Sequence, residues 1–421
     1  MARSVHVARL YPEIGQLERL NTQGHATRAL WNLLHEWHLM CCEHRRPMLG
    51  WPEIDRQVKA ARRDPPEGFE WLAKLPAQAC GAVVKLYVAA WKRCYSGHAR
   101  PPRFKSRHRA RMAIDIPQAP DFRVVRLNRR WGEFTVPMVG RIRFRWTKPL
   151  PGVTRTVPGR LTGARLVHET NGWHVVFRIE TPDVAPPERS ASAVGIDRGV
   201  THTLALSDGT FRDMPKLLSD SEAKRLLRLE RKAARQRRSR PKNQPTSNRL
   251  NQTYDQIAKL RARAKRRRDD WIHQTTTEIT REFGAVAVED LKVQSLTRSA
   301  RGTVAEPGRG VRRKAGLNRA ILGMAWSQIG EHLDYKTTRT GGVLVKVPAP
   351  RTSQRCHACG LVDPASRRSQ SLYVCTNCAW SGNADTNAAL NIVNAAGLAV
   401  SGRGGSRVAE ACEAPTTRRA A

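Results

Sequence analysis

The sequence predicts a multidomain α+β protein in which a helical region and a small antiparallel β-barrel precede an α/β domain. Apolar residues recur at helical spacing over roughly the first hundred residues. Polar and apolar residues then alternate between Ala113 and Pro182, and buried strands alternate with helices from Ala193 onward. Two Cys-x-x-Cys pairs near the C-terminus add a metal-binding ribbon to the last domain.

The composition indicates a negatively charged partner. Of the 421 residues, 74 are Lys or Arg and 36 are Asp or Glu, so the formal net charge is +38. So strong a field attracts polyanions, and nucleic acid is the first candidate. No apolar run reaches the ~18 residues of a membrane span, and the N-terminus lacks an apolar signal region. Nine cysteines without a disulfide framework suit a reducing, cytosolic compartment.

Three segments make up the predicted N-terminal half. Residues 1–12 hold one strand, residues 13–112 form a helical lobe, and residues 113–183 form the barrel that the first strand completes. The Asn171-Gly172 hairpin signal supports antiparallel pairing in that barrel.

A basic stretch at Ala99–Met112 ends the helical lobe. It is predicted to be either a solvated linker or a contact with nucleic acid, and its pattern favours neither. The expected contact residues are Arg103, Lys105 and Arg107.

The C-terminal half is predicted to be an α/β domain with insertions. A Pro/Ala/Ser linker at 184–192 leads into residues 193–350, which contain a basic helical hairpin at 219–281. Residues 298–315 are predicted to be a loop, and residues 317–337 one helix with Leu322 on its apolar face. The remaining predicted parts are a zinc ribbon at 351–380, a helix at 381–397 and a disordered tail at 398–421.

The helical hairpin carries dense positive charge. A capping box at Ser219–Glu222 marks the start of its first helix. Charged helix faces are usually just solvated, but such faces normally mix signs, and here the basic runs are almost without acids. We therefore expect contact with a nucleic-acid backbone. The expected contact residues are Arg225, Arg228, Arg231, Lys232, Arg235, Lys259, Arg263, Arg266 and Arg267.

Three carboxylates share a distinctive context. Asp197 and Glu289 end apolar strands, and Asp385 opens a helix. Taken singly, each has an ordinary structural alternative as a turn residue, a solvent-facing side chain or a helix cap. Their order along the chain is that of an RNase H-like nuclease fold. Clustered carboxylates need divalent cations to offset their repulsion, so two Mg²⁺ ions for phosphodiester hydrolysis are predicted.

The four paired cysteines predict a closed zinc site. Cys356 and Cys359 form one knuckle and Cys375 and Cys378 the other. Two such knuckles supply four thiolates to one tetrahedral Zn²⁺, and a site of this kind is structural.

Several motifs resemble the OrfB/TnpB family of transposon-associated nucleases. They are GIDRG at Gly195–Gly199, VAVEDLKVQSL at Val286–Leu296, TSQRCHACG at Thr352–Gly360 and DTNAALNI at Asp385–Ile392. The resemblance extends upstream to RLYPEIGQLERLN and PPRFKSRHR, so it covers nearly the whole chain except the Gly/Arg-rich loop and the tail.

This resemblance implies an RNA-guided DNA endonuclease, ancestral in type to the type V CRISPR effectors. It implies a wedge-type β-barrel carrying a helical recognition lobe, followed by a RuvC nuclease domain with an inserted ribbon. The implied catalytic triad is Asp197, Glu289 and Asp385. The implied partners are a guide RNA and a double-stranded target DNA with a short flanking motif. A prokaryotic cytoplasmic protein associated with the nucleoid is expected, and a membrane is not an expected partner.

Three alternatives share these motifs. A compact type V CRISPR effector would use the same chemistry. A non-cleaving RNA-guided repressor arises in such families by loss of the acidic triad, and the intact triad argues against it. A strand-transferring transposase could use the same scaffold, but the resemblance to the OrfB branch disfavours it. The sequence leaves the oligomeric state open.

Overall fold

Helices and an antiparallel sheet form the first part of the chain. The computed structural model describes residues 2–398 except 48, 108–109, 155–156, 184–191, 240 and 242–243, and it divides into two compact units, Met1–Val184 and Ala185–Ala421. Nearly all of the predicted linker and of the predicted tail therefore lies outside the described residues. The first unit contains β1 (Ala2–Tyr11), α1 (Ile14–Glu43), α2 (Trp51–Arg63), α3 (Ala77–Tyr95), β2 (Ala113–Ile116), β3 (Val124–Arg126), β4 (Trp131–Val136), β5 (Gly140–Arg145), β6 (Arg160–Glu169) and β7 (Gly172–Thr181), with short 3₁₀ turns at Glu70–Lys74 and Ala119–Asp121.

The first strand joins the sheet as predicted. Strand order is β2-β6-β7-β1-β5-β4-β3, and β1 pairs with β7 along Ala2–Arg9 and with β5 at Leu10 and Tyr11. Alternating residues of the strands point to one shared core that includes Phe134 and Phe177. Within the described residues no pairing joins the edge strands β2 and β3. The curled sheet is therefore open between these two strands, whereas a barrel was expected.

The helical part of this unit has its own core. Leu30 and Leu34 of α1 pack with Ile54 of α2 and with Val84 and Tyr87 of α3. These positions follow the 3.6-residue period of the sequence, which is why the helical prediction for this region is confirmed.

The second unit is an α/β structure. Its elements are β8 (Ala193–Asp197), β9 (Leu204–Leu206), β10 (Phe211–Arg212), α4 (Asp220–Arg238), α5 (Asn248–Glu282), β11 (Ala285–Glu289), α6 (Val293–Leu296), α7 (Val311–Met324), α8 (Trp326–Arg339), β12 (Val343–Val347), β13 (Leu372–Val374), β14 (Ser381–Asn383) and α9 (Ala384–Ala395), with a 3₁₀ turn at Pro364–Ser366.

Its main sheet has the order β10-β9-β8-β11-β12. Strands β8, β11 and β12 are parallel, whereas β9 and β10 are antiparallel. Val194, Ile196, Val286 and Val288 are buried almost completely beneath α5 and α8. The continuous apolar runs of β8 and β11 reflect this burial on both faces.

The single helix predicted at 317–337 is wrong. Ala325 adopts a left-handed conformation with φ +53°, which interrupts helical hydrogen bonding and separates α7 from α8. Trp326 is buried at the break, where its indole N–H donates to the Gly199 carbonyl over 3.3 Å. Leu322, expected on the buried face, is 57% exposed.

The loop predicted at 298–315 is also shorter than expected, because α7 already begins at Val311. In the part of the chain that the structure describes, none of the helices combines the length and apolar character that a bilayer crossing requires.

Candidate active site and metal centre

Two of the predicted carboxylates lie at one edge of the main sheet. Asp197 is the last residue of β8 and Glu289 is the last residue of β11. These strands are parallel neighbours, with Ile196 in register with Val288. The carboxyl ends of adjacent parallel strands meet at the same edge, so both side chains belong to one site.

Asp385 reaches the same site from α9. It is the second residue of that helix, and its negative charge acts on Asp197. The helix lies directly on β8 at Gly195, where a Cβ atom would stand 2.1 Å from the Ala389 carbonyl oxygen and 2.9 Å from the Val393 nitrogen. Only glycine permits so close an approach of two backbones.

Three asparagines hold α9 in place. The Asn383 side chain accepts hydrogen bonds from the backbone N–H groups of Asp385 (2.9 Å) and Thr386 (3.1 Å). The Asn387 and Asn391 amides donate to the Arg355 carbonyl over 2.7 and 2.6 Å, and Asn391 also donates to the Thr352 carbonyl over 2.9 Å. The sequence analysis did not single out these residues, although their spacing of four places them on one helix face.

The site disfavours negative charge unless cations are present. Burial, followed by the charges of Glu289 and Asp385, raises the pKa of Asp197 to about 7. Burial also raises the pKa of Glu289, while a hydrogen bond from the Thr352 hydroxyl and the charge of Arg198 act in the opposite direction.

Arg198 ties Glu289 to the rest of the unit. Arg198 is 8% exposed, and its guanidinium donates to the backbone carbonyl of Glu289 and, over 3.2 Å, to that of Trp326. The residue after Asp197 therefore holds together the ends of β8 and β11 and the start of α8.

Arg367 contacts the third carboxylate. Its Nη2 atom lies 3.2 Å from Asp385 Oδ1 and 3.1 Å from the Gln370 carbonyl oxygen. Arg367 belongs to the ribbon segment. Its positive charge therefore neutralises part of the negative charge of the three carboxylates. Neither the spacing nor the composition of the chain could have paired these two residues.

The four predicted ligand cysteines come together. Their Sγ atoms all lie within 4.8 Å of one another, with Cys356 3.7 Å from Cys378 and Cys359 3.5 Å from Cys375. Tetrahedral zinc with bonds of about 2.3 Å sets its sulfurs about 3.8 Å apart, so the cluster fits a metal ion such as zinc.

Both knuckles are held by backbone hydrogen bonds. The Cys356 N–H donates to the Leu361 carbonyl and the Cys375 N–H to the Trp380 carbonyl, both over 2.8 Å. The antiparallel pair β13–β14 follows the first knuckle and leads directly into α9.

The predicted nucleic-acid contacts of the hairpin fall into two groups. Arg263 and Arg267 of α5 both pair with Glu222 of α4, with Arg267 2.7 Å from the carboxylate. They therefore hold the two helices together. Ser219 caps α4 as predicted, and the Glu222 side chain completes the capping box.

The other predicted contact residues of the hairpin are exposed. Among the described residues no carboxylate pairs with Lys259, Arg266 or the basic residues of α4. Five basic residues of α4 line an open groove of about 520 Å³. The groove residues are Arg225, Arg228, Arg231, Lys232 and Arg235, together with Leu229.

The basic stretch before β2 lies against α1. Arg103 and Arg107 are exposed, whereas Lys105 is half-buried. The Asn32 side chain accepts a hydrogen bond from the Lys105 N–H (2.7 Å) and donates to the Lys105 carbonyl (3.2 Å). Lys105 is therefore held in an ordered contact with α1.

Comparison with known proteins identifies relatives along most of the chain. A family model described as OrfB_IS605, "Probable transposase", matches residues 174–300, and a Cas12f1-like TNB domain model matches residues 326–392. The "Putative RNA-guided DNA endonuclease InsQ" of Escherichia coli (strain K12) is 34% identical over 332 residues, which are 79% of this chain and 77% of the relative. The chain belongs to the OrfB/TnpB family.

One further relative and one solved structure are similar to most of the chain. A family member from Streptomyces pristinaespiralis, named "Putative RNA-guided DNA endonuclease", is 28% identical over 80% of this chain and 76% of its own length. A solved structure entitled "Cryo-EM structure of the Cas12f1-sgRNA-target DNA complex" covers 91% of this chain and 83% of its own, with a TM-score of 0.53 and 16% identity. At that identity the likeness concerns the fold alone.

Proposed function

We propose that this chain is an RNA-guided DNA endonuclease with one active site formed by Asp197, Glu289 and Asp385. The observation that carries the proposal is the meeting of two strand-end carboxylates with a helix-start carboxylate at one sheet edge. Two relatives that match most of the chain are named for this activity. The strand order and the three acids support an RNase H-like domain of the RuvC type.

The donor set fits magnesium. Asp197, Glu289 and Asp385 offer only carboxylate oxygens, which Mg²⁺ prefers. Burial, followed by the charges of Glu289 and Asp385, raises the pKa of Asp197, and bound cations would relieve both effects. Two bound Mg²⁺ ions would activate the attacking water and stabilise the leaving 3′ oxygen.

The protein's own contribution is to hold these carboxylates in place. Thr352 and Arg198 orient Glu289, and Arg367 orients Asp385. A buried, pre-oriented acidic set lowers the cost of rearrangement when cations and DNA bind.

The cysteine cluster is proposed to hold one structural Zn²⁺ through Cys356, Cys359, Cys375 and Cys378. Four thiolates leave no open coordination position, so this ion has no part in the chemistry. Its role is to fold the segment that leads into α9 and supplies Arg367.

Guide RNA and target DNA are proposed to lie along the basic surfaces. The unpaired cations of α4 suit a phosphate backbone, and so do Arg103, Lys105 and Arg107. We propose that the curled sheet serves as the wedge domain, that α1–α3 form the recognition lobe, and that the chain reads a short motif beside the target.

Two other functions lead to different outcomes. A non-cleaving RNA-guided repressor would bind the same target without cutting it, and a transposase would join DNA ends without a guide. A compact CRISPR effector would differ only in the origin of its RNA. The intact acidic set favours cleavage over binding alone.

The test is cleavage of a plasmid by the purified protein with its RNA. RNA that co-purifies with the chain is sequenced, and plasmids carrying the matching target beside randomised flanking sequence are incubated with Mg²⁺. Asp197→Asn and Glu289→Gln should abolish cutting and retain RNA-dependent DNA binding. Glu331→Gln, an exposed carboxylate of α8, is the matched control and should cut normally. Target binding by the native chain without any cut or nick would refute nuclease activity.

A further inference from the structure

A small cationic pocket in the first unit has no part in the candidate active site. It lies between α1, α3, the segment before β2, and β6, and its volume is about 60 Å³. Ligand pockets for small molecules start at roughly 300 Å³, so this one suits a single compact group. Its charged and aromatic lining consists of Arg28, Trp31, Lys105, Arg111, Asp115 and Arg165.

Two of these lining residues are already neutralised. Asp115 pairs with Arg178, whose Nη2 lies 2.7 Å from Oδ1, and Arg111 pairs with Glu169 over 3.0 Å. The only carboxylate in the lining therefore offers little compensation to the other cations.

The remaining three cations, Arg28, Lys105 and Arg165, have no carboxylate partner among the described residues. Arg28 contacts the ring of His25, with Nη2 3.0 Å from Nδ1. An imidazole is neutral or positively charged, so this ring cannot offset the guanidinium charge, and burial followed by the charge of Arg28 lowers the pKa of His25.

The charged form of Lys105 is disfavoured in the pocket by burial and by the nearby charge of Arg165. Its ammonium lies 3.5 Å from the Trp31 ring centroid, and the Trp31 indole N–H donates to the Arg103 carbonyl over 3.1 Å. Burial, followed by the charge of Arg165, lowers the pKa of Lys105 to about 8. The structure thus holds a half-buried cation beside another cation without the anion that would stabilise both.

We propose that this pocket binds one phosphodiester group of the nucleic acid that the chain holds, with Arg28, Lys105 and Arg165 as its donors. Guanidinium and ammonium groups are the side chains that bind phosphate, and a single phosphate matches the size of the cavity. The proposal rests on the proposed function, because it presupposes a bound nucleic acid. It adds that one particular phosphate must occupy the pocket, which would fix the position of the nucleic acid along the protein.

The test combines a protein variant with a modified phosphate. Arg165→Gln and, as a second variant, Arg28→Gln are compared with Arg143→Gln, an exposed arginine of β5 outside the pocket. RNA-dependent binding is measured on targets in which one phosphate at a time is replaced by an uncharged methylphosphonate. With the native chain, neutralising one position should weaken binding about tenfold, which is the loss of one charge-assisted contact. In Arg165→Gln and Arg28→Gln that position should lose its effect, whereas Arg143→Gln should retain it.

Separate series distinguish the source of the phosphate. Methylphosphonates are placed in turn in the target strand, the displaced strand and the guide RNA. We call a position coupled to an arginine when its methylphosphonate weakens binding by the native chain but not by the arginine variant, and such a position identifies the strand that occupies the pocket. If no position in any of the three is coupled to Arg165 or Arg28, the pocket is not a phosphate site. Should native protein cut its target while no position is coupled, the inference fails and the proposed function stands. Absence of RNA-dependent binding by the native chain would instead refute both.

Discussion

Gly195→Ala tests whether α9 positions Asp385 in the candidate active site. The added methyl group would lie 2.1 Å from the Ala389 carbonyl oxygen and 2.9 Å from the Val393 nitrogen. Both are backbone atoms of α9, so no side-chain rotation can make room. Ordinary contacts of a Cβ atom begin near 3.4 Å, and the helix must therefore move off β8 by about 1 Å.

This displacement acts on one member of the site only. Asp385 moves with the first turn of α9, whereas Asp197 and Glu289 stay on the sheet. A displacement of about 1 Å can lower a reaction rate about a hundredfold, and overpacking of a buried contact costs about 1–3 kcal/mol. We expect single-turnover plasmid cleavage at saturating Mg²⁺ to fall about a hundredfold. RNA-dependent DNA binding should be unchanged, and unfolding should occur at a modestly lower temperature.

Gly323→Ala is the matched control. It adds the same methyl group within α7, where no atom lies within 4 Å of the new Cβ. Its cleavage rate should stay within about twofold of native, because an alanine in a helix is well tolerated. A Gly195→Ala protein that cleaves as fast as this control would refute the placement of Asp385 by α9.

Three further predictions concern Glu289, the cysteine cluster and the basic groove of α4. Thr352→Val removes a hydrogen bond that lowers the pKa of Glu289, so this pKa should rise and the acidic limb of the pH–rate profile for cleavage should move to higher pH. Cys375→Ser should release the bound metal, measured by elemental analysis, and slow cleavage. Arg228→Gln should weaken nucleic-acid binding and reduce the slope of log affinity against log salt by about 1, with the unfolding temperature unchanged.

Each of these has an internal comparison. Thr338→Val removes an exposed hydroxyl that bonds only to a backbone carbonyl, and it should leave the pH profile unmoved. An unmoved profile in Thr352→Val as well would contradict its role at Glu289. Cys94→Ser should retain the metal. Arg263→Gln should loosen the α4–α5 hairpin by removing one of the two arginines that pair with Glu222, and if it acts like Arg228→Gln, the division of the cations into paired and unpaired groups fails.

Much of the site is visible in the sequence because its members lie at element boundaries. An apolar strand that ends on an acid, as at Asp197 and Glu289, is a local pattern, and parallel neighbours bring such ends together without further information. The two cysteine knuckles are equally local, because each pair sits within four residues. Two knuckles that share one tetrahedral metal site must bring their sulfurs close together, and the four Sγ atoms do lie within 4.8 Å of one another.

What the sequence could not provide depends on long-range contacts. The basic runs of the hairpin contain almost no acids, which predicts that their cations face nucleic acid. Arg263 and Arg267 instead pair with Glu222, which lies more than 40 residues away along the chain. The break at Ala325 is likewise set by the burial of Trp326 against Gly199. Helical periodicity alone continues through that residue, because alanine is itself a strong helix former.

The contacts around Asp385 link the ribbon segment to the candidate active site. Arg367 comes from between the knuckles and reaches Asp385, while Asn387 and Asn391 bind carbonyl groups next to Cys356. The position of Asp385 thus depends on the same segment that the proposed metal ion would fold around the four thiolates. Loss of that metal should therefore reduce cleavage more than it reduces RNA-dependent binding, because Asp197, Glu289 and the basic groove of α4 lie on elements outside the ribbon.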